Sequence, residues 1–246
     1  MENNDFYVVV LLGVNGSGKT TLANELACNL EIPLINMDLI GRRPYTSVED
    51  YNQMMAERLQ IARSMMDDKL HRRQSFMTEL TLSTVKDLDF LKHIKQSSAT
   101  LVTVFVLTRD IEINISRISN RVKNGGHNVP LEKIQRRYPK FLANMPLAID
   151  ESDICFVYDN SQWYKNILIK FEAKKINLVG VEPDKDDWIQ VNLIEHLEKT
   201  NEIISVSNFI PKGSNVLFSK IYSCLSNILE SLNAAGLSEK RIPPGR

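Results

Sequence analysis

Eight consecutive residues, Gly13-Val-Asn-Gly-Ser-Gly-Lys19-Thr20, carry the spacing G-x-x-x-x-G-K-[ST]. Glycines at such positions let backbone N–H groups close around phosphate oxygens, and a helix N-terminus behind them adds a favourable dipole. Gly13, Asn15, Gly16, Ser17, Gly18, Lys19, Thr20 and Thr21 are therefore the expected nucleotide-binding residues. Lys19 is expected to reach the β- and γ-phosphates, and the Thr20 hydroxyl to hold Mg²⁺. The chemistry suggested is that of a bound nucleoside triphosphate.

A phosphate-holding loop does not say where the phosphate goes, so the other polar residues near strand ends matter. Asp38 follows the apolar run Pro33-Leu-Ile-Asn-Met37. A carboxylate there can accept the proton of an attacking hydroxyl; the alternative to that base is a helix N-cap or a residue behind a magnesium ion. Glu79 ends the run Ser75-Phe-Met-Thr-Glu79, with Thr81 and Ser83 just beyond. This cluster suits the hydroxyls of an acceptor or, with Asp38, the placement of a metal; for Thr81 and Ser83 a helix cap is the simpler reading. Arg117, Arg121, Arg136 and Arg137 surround Gly125-Gly126-His127 and Pro130. A hinged arginine clamp fits phosphoryl transfer, which depends on positioning and on cations that stabilise the transferring group. The same run also reads as a solvated helix with surface salt bridges. His127 fits either contact with substrate or a structural place in the hinge, and Asp159-Asn160-Ser161 either touch nucleotide or form a capping turn.

The elements that must position these residues are legible in outline. Apolar runs at residues 6–12, 33–37, 75–79, 101–107 and 153–158 alternate with helical patterns, the mark of a parallel sheet with crossover helices. A helix over residues 48–73 is expected to bury Tyr51, Met55, Leu59, Ala62 and Met66. Ile111, Ile115, Ile118 and Val122 align on the next helical face, which Gly125-Gly126 should end before Pro130 opens a helix carrying Ile134, Tyr138 and Phe141. Beyond residue 175 the pattern predicts strands at 176–181 and 203–209, a helix at 186–199, and a helix at 216–235 ended by Gly236. The stripe Leu217, Ile221, Cys224, Leu225, Ile228 and Leu232 on that last helix is expected to pack against its own domain. The tail 240–246 is expected to be loosely ordered.

Composition excludes some classes. The 246 residues are 43% hydrophobic, enough for a sizeable core, and 30 basic residues balance 30 acidic ones, so a general nucleic-acid or membrane-surface binder is not expected. Cys28, Cys155 and Cys224 show no paired spacing. With an acidic start and no apolar run of about 18 residues, they suggest a cytoplasmic protein with reduced thiols.

With these residues in place, the chain resembles the zeta-toxin family of P-loop kinases, in particular a small branch of it. The resemblance rests on residues 13–21, Asn36-Met-Asp38, Glu79-Leu-Thr-Leu-Ser83, Arg121-Val-Lys-Asn-Gly-Gly-His-Asn-Val-Pro130, Ile134-Gln-Arg-Arg-Tyr138 and Tyr158-Asp-Asn-Ser161. It implies ATP-dependent phosphorylation of a hydroxyl; the best-known members modify the 3′-hydroxyl of the amino sugar in UDP-N-acetylglucosamine. On that likeness Lys19 binds phosphate, Thr20 binds Mg²⁺, Asp38 is the base, Glu79 contacts the acceptor, and arginines between Arg117 and Arg137 stabilise the transferred group. An antitoxin protein becomes a possible partner. The expected fold is a three-layer α/β P-loop NTPase of the kinase kind, with about five core parallel strands over residues 1–175 and a C-terminal α+β extension over 176–246. Those last residues match nothing in the family core. A nucleoside, nucleotide or polynucleotide-end kinase, a nucleotide-hydrolysing switch and an inactive scaffold use the same loop. Neither an Asn-Lys-x-Asp guanine-reading tetrapeptide nor a Leu-Ser-Gly-Gly-Gln-like string is present.

Overall fold

The computed structural model describes residues 6–41, 46–126, 128–162, 164–181, 186–206 and 216–239, with backbone only at 48, 172 and 235–239. His127, residues 207–209 of the last expected strand and the tail 240–246 lie outside the described residues.

Strand β1 (Tyr7–Leu12) is buried along its whole length, as its unbroken apolar sequence requires. It lies between β3 (Phe76–Leu80) and β4 (Thr100–Leu107), parallel to both. The short β2 (Leu34–Ile35) pairs with β3, and β5 (Ile154–Asp159) with β4, so five parallel strands run in the order β2-β3-β1-β4-β5. Chain order reverses around β1, and open α/β sheets bind ligands outside the carboxyl ends of the strands at such a point. The sheet then continues: β6 (Lys165–Glu172) and β7 (Lys175–Val179) form an antiparallel hairpin on β5, and β8 (Glu202–Val206) returns parallel to β7. Among the described residues, β7 and β8 thus extend the same eight-stranded sheet.

Helices cover both faces. One face carries α1 (Lys19–Leu30) and α8 (Val216–Glu239), whose Leu217, Phe218, Ile221 and Leu225 share a core with Leu22, Leu26, Val9 and Val104. The apolar stripe of the last helix is therefore spent on its own sheet, as expected. The other face carries α2 (Val48–His71), α3 (Val85–Gln96) and α5 (Leu131–Glu151), with Ala62, Met66, Leu91, Phe141 and Met145 over Val8, Val10 and Phe105. Next to α5 sit α6 (Asp187–Ile189), a π-type turn (Gln190–Ile194) and α7 (Glu195–Leu197). Helix α4 (Ile111–Lys123) follows β4 and starts at Asp110, whose carboxylate accepts from the Glu112 N–H.

Four sequence expectations need correction. The buried face of α2 is Met54, Arg58, Ala62, Met66 and Leu70, while Leu59 is 39% exposed and Met55 only half-buried. Arg58 turns into the core because its guanidinium has a backbone acceptor there, which a pattern of apolar residues cannot reveal. Strand β6 forms where the sequence predicts none, because Lys170 interrupts its apolar run. Its ammonium donates to the carbonyls of Ile149 and Asp150 at 2.8 and 2.9 Å, so a cation tethers the C-terminal end of α5. Helix α3 is a further element beyond those predicted, and Thr84 and Asp87 form a reciprocal capping box at its start. Finally, α8 runs through Gly236 to Glu239. Among the described residues no helix is long and apolar enough to cross a membrane, and Cys28, Cys155 and Cys224 are all free thiols.

Candidate active site

The loop between β1 and α1 is shaped by its glycines. A Cβ on Gly13 would stand 2.2 Å from the Val106 carbonyl oxygen, and one on Gly16 would stand 2.7 Å from that of Asn114. Gly18, at φ 101°, occupies the left-handed region at the N-terminus of α1. These close approaches leave a cradle of backbone around Lys19, which is 9% exposed, and Ser17, whose buried hydroxyl has no protein partner. Thr20, in the first turn of α1, and Thr21 beside it are exposed.

A set of charges converges on Lys19. Burial pulls its pKa below the usual 10.5, opposed by Glu79 and then Asp38, while Arg137 and Arg121 pull it down further. Glu79, near the end of β3, accepts from the Thr20 hydroxyl at 2.9 Å and from the Asn36 amide at 2.8 Å. Asn36 in turn accepts from the Asp38 N–H at 2.8 Å, and buried Arg58 donates to the Met37 carbonyl at 3.1 Å. The exposed Asp38 therefore sits in a turn held at both its start and its flank, and it does not cap a helix.

The arginines separate. Arg137 donates to the Asn15 side-chain oxygen at 2.8 Å, while Arg121 caps no strand end but lies in the last turn of α4, exposed and close enough to act on Lys19. Arg136 is exposed. Arg117 goes elsewhere: it donates to the Asn160 carbonyl at 2.8 Å, its second amino group is buried without a partner, and burial lowers its pKa. Gly125, at φ 77°, ends α4 in the left-handed conformation. Thr81 and Ser83 share a 3.0 Å hydrogen bond, and the Ser83 N–H donates to Asp87, the acid of the α3 cap; the cap itself is Thr84.

Several residues at the site carried little signal in the sequence. Asn36 was visible only as part of Asn36-Met-Asp38. Asn114 donates to the Asn15 carbonyl at 3.0 Å and accepts from Thr108. Tyr138 donates to the Thr108 carbonyl at 2.8 Å, tying α5 to the end of β4. Asn160 donates to the Ser17 carbonyl at 2.8 Å and Tyr164 to that of Gly18 at 2.9 Å. Arg109 bridges Asp159 and Asp186, both at 2.6 Å, and lies over the Trp188 ring. Asn160 was singled out in the sequence with Asp159 and Ser161, and Tyr138 with the arginine run, whereas Asn114, Tyr164 and Arg109 are isolated residues that join the site only through folding.

The donor set suits a triphosphate and a hard cation. Glycine backbone, the N-terminus of α1, an orphaned hydroxyl and a buried ammonium match anionic oxygens. The Thr20 hydroxyl with the Glu79 carboxylate behind it matches the oxygen preference of Mg²⁺, which keeps waters and phosphate oxygens among its ligands. Among the described residues no cluster of three His, Cys, Asp or Glu could cage a metal.

Solved structures share the architecture. The AvrRxo1-ORF1:AvrRxo1-ORF2 complex superposes with a TM-score of 0.55 at 13% identity, over 94% of this chain and 79% of that one. The same pair with ATP gives 0.51 at 11%, over 94% and 80%. A structure from the PezAT chromosomal toxin–antitoxin system of Streptococcus pneumoniae gives 0.51 at 13%, over 94% and 88%. The fold is thus an α/β P-loop kinase-like fold. No curated protein gives a significant sequence match. A family model described as an AAA domain matches residues 8–141, more than half of the sequence, and the chain belongs to that family.

Proposed function

We propose that this chain is a Mg²⁺- and ATP-dependent kinase that phosphorylates a hydroxyl of a small molecule. The observation that carries the reading is the meeting of charged groups at the loop around buried Lys19: Glu79 accepts from Thr20 at 2.9 Å, Arg137 donates to Asn15 at 2.8 Å, and Asp38 and Arg121 are close enough to act on the same ammonium. A loop that only held nucleotide would need the lysine and the glycines. A carboxylate in an exposed, braced turn and two arginines beside the same ammonium are what a transfer reaction adds. Bound Mg-ATP supplies the transferable phosphoryl group and an electrophilic phosphorus.

The chain's own residues divide the work. Lys19 and the loop N–H groups hold the phosphates, and Thr20 with Glu79 places the cation. Asp38 takes the proton of the acceptor hydroxyl as its oxygen bonds to the γ-phosphorus and the bond to the ADP oxygen breaks. Arg121 and Arg137 stabilise charge on the transferring group. Arg117 and His127 belong to the binding of nucleotide or acceptor, with Arg117 on the side of the loop after β5. The kinase unit is residues 1–175, with 176–246 as a C-terminal extension whose β8 continues its sheet, and it works in a reducing compartment. The family resemblance makes UDP-N-acetylglucosamine the first acceptor to test. Two of the similar structures are of assemblies with a second protein, AvrRxo1-ORF2 in one and the PezAT toxin–antitoxin pair in the other, which makes an antitoxin-like partner part of the proposal.

The test is incubation with γ-labelled ATP and a panel of nucleotide sugars, nucleosides and oligonucleotides, followed by mass analysis of the labelled product. Asp38→Asn should keep ATP affinity within about twofold and lose at least ~100-fold in transfer, the scale of a general base. Transfer at the wild-type rate would remove Asp38 from the reaction. Label on a nucleic-acid end would reassign the acceptor, and free phosphate with every acceptor would make the chain a hydrolase.

A further inference from the structure

Three carbonyls of the phosphate loop are held from outside it. Asn114 of α4 donates to Asn15, Asn160 after β5 donates to Ser17, and the Tyr164 hydroxyl before β6 donates to Gly18, at 3.0, 2.8 and 2.9 Å. A peptide unit is planar, and in the trans form its C=O and the following N–H point in opposite directions. Holding the carbonyls of Asn15, Ser17 and Gly18 therefore sets the N–H groups of Gly16, Gly18 and Lys19, turning them away from these flanks. Gly18 and Lys19 also begin α1, where helix geometry leaves N–H groups without an internal acceptor. The collar is tight: a Cβ on Gly18 would stand 2.5 Å from the Asn160 amide nitrogen and 2.7 Å from the Tyr164 hydroxyl.

Tyr164 is itself held by the C-terminal helix. Asn233 of α8 accepts from the Tyr164 N–H and donates to the Tyr164 carbonyl, each at 2.9 Å. The same helix shares the apolar core of α1, the helix that begins at the loop. Burial pushes the Tyr164 phenol up to about 12, so it keeps its proton at any working pH.

We propose that Tyr164 and Asn233 are positioning residues that preset the N–H groups of the phosphate loop, giving the C-terminal helix an indirect part in phosphate binding. The proposal rests on the reading above that this loop holds a triphosphate. Neither residue touches the ligand; both act through the Gly18 carbonyl.

The experiment compares wild type, Tyr164→Phe, Asn233→Ala and the double variant in the full chain, by calorimetric titration with Mg-pyrophosphate and with Mg-ATP and by amide hydrogen exchange without ligand. Tyr164→Phe should weaken both ligands by roughly fivefold, the worth of one hydrogen bond. Asn233→Ala should act in the same direction, and the double variant should lose less than the sum, because both work through one hydroxyl. Exchange in residues 13–20 should quicken while β1 and β4 keep wild-type protection, which a general loosening would not produce. Unchanged affinities in folded variants overturn the proposal alone. If Tyr164→Phe does not fold, an unchanged Asn233→Ala does the same. Wild type that binds neither pyrophosphate nor ATP overturns the triphosphate reading and this proposal with it.

Discussion

Replacing Lys19 by Met should make the free protein more stable while removing its ligand response. Met keeps the stem of the side chain and loses the ammonium. Lys19 is 9% exposed, and burial outweighs the help of Glu79 and Asp38, so its pKa in the folded protein lies below 10.5. Between the depressed folded value and 10.5 the unfolded chain binds more protons, so wild-type stability rises with pH through that window. At neutral pH the protein carries the whole cost of the buried charge, and the variant does not. Glu79 keeps its hydrogen bonds from Thr20 and Asn36 in the variant. A gain of about 1 kcal/mol, in the usual range for relieving a functional site, raises the midpoint of a chain this size by roughly 2–4 °C. Mg-ATP at about 100 times its Kd adds about 2.7 kcal/mol to wild type. Loss of two charge-assisted contacts, about 3 kcal/mol together, weakens binding more than ~100-fold and leaves under ~0.5 kcal/mol of that response. Thermal unfolding with and without Mg-ATP, from pH 7 to about 10, reads both effects. The gain over wild type should shrink as pH approaches 10.5. A lower midpoint for the free variant refutes the argument about buried charge, and a retained ATP shift refutes the role of Lys19.

Glu79→Gln should weaken Mg²⁺-dependent ATP binding about tenfold or more while leaving binding of metal-free ATP within about twofold, because it removes the charge that receives the Thr20 hydroxyl at 2.9 Å and keeps the shape. Titrations with and without Mg²⁺ separate the two, and equal losses in both would place Glu79 with the phosphates instead. Gly13→Ala should cost about 1–3 kcal/mol, since its Cβ meets the rigid Val106 carbonyl at 2.2 Å. Denaturant unfolding checks it, and an unchanged midpoint would mean that the loop relaxes freely.

Residues adjacent in the chain were legible in the sequence. The glycines and Lys19-Thr20 form one local unit of strand, turn and helix, so their spacing alone predicts the turn that the structure shows. The continuous apolar runs at β1, β4 and β5 declare strands buried on both faces, and with the helices between them they determine a parallel core. Asp38 and Glu79 were also visible, because strand ends in such a sheet meet at one edge. What the tertiary structure decided is how charges and amides from distant segments share that edge. It turned Arg137 toward Asn15 and left the neighbouring Arg136 exposed, a choice made by the rotation of α5 against β4. It placed Glu79 between Thr20 and Asn36, 59 and 43 residues away in sequence. It spent the stripe of α8 on the sheet and left Asn233 to hold Tyr164. Spacing in sequence reports contacts within one turn or one strand, whereas hydrogen bonds between separate elements depend on how packing rotates and offsets those elements.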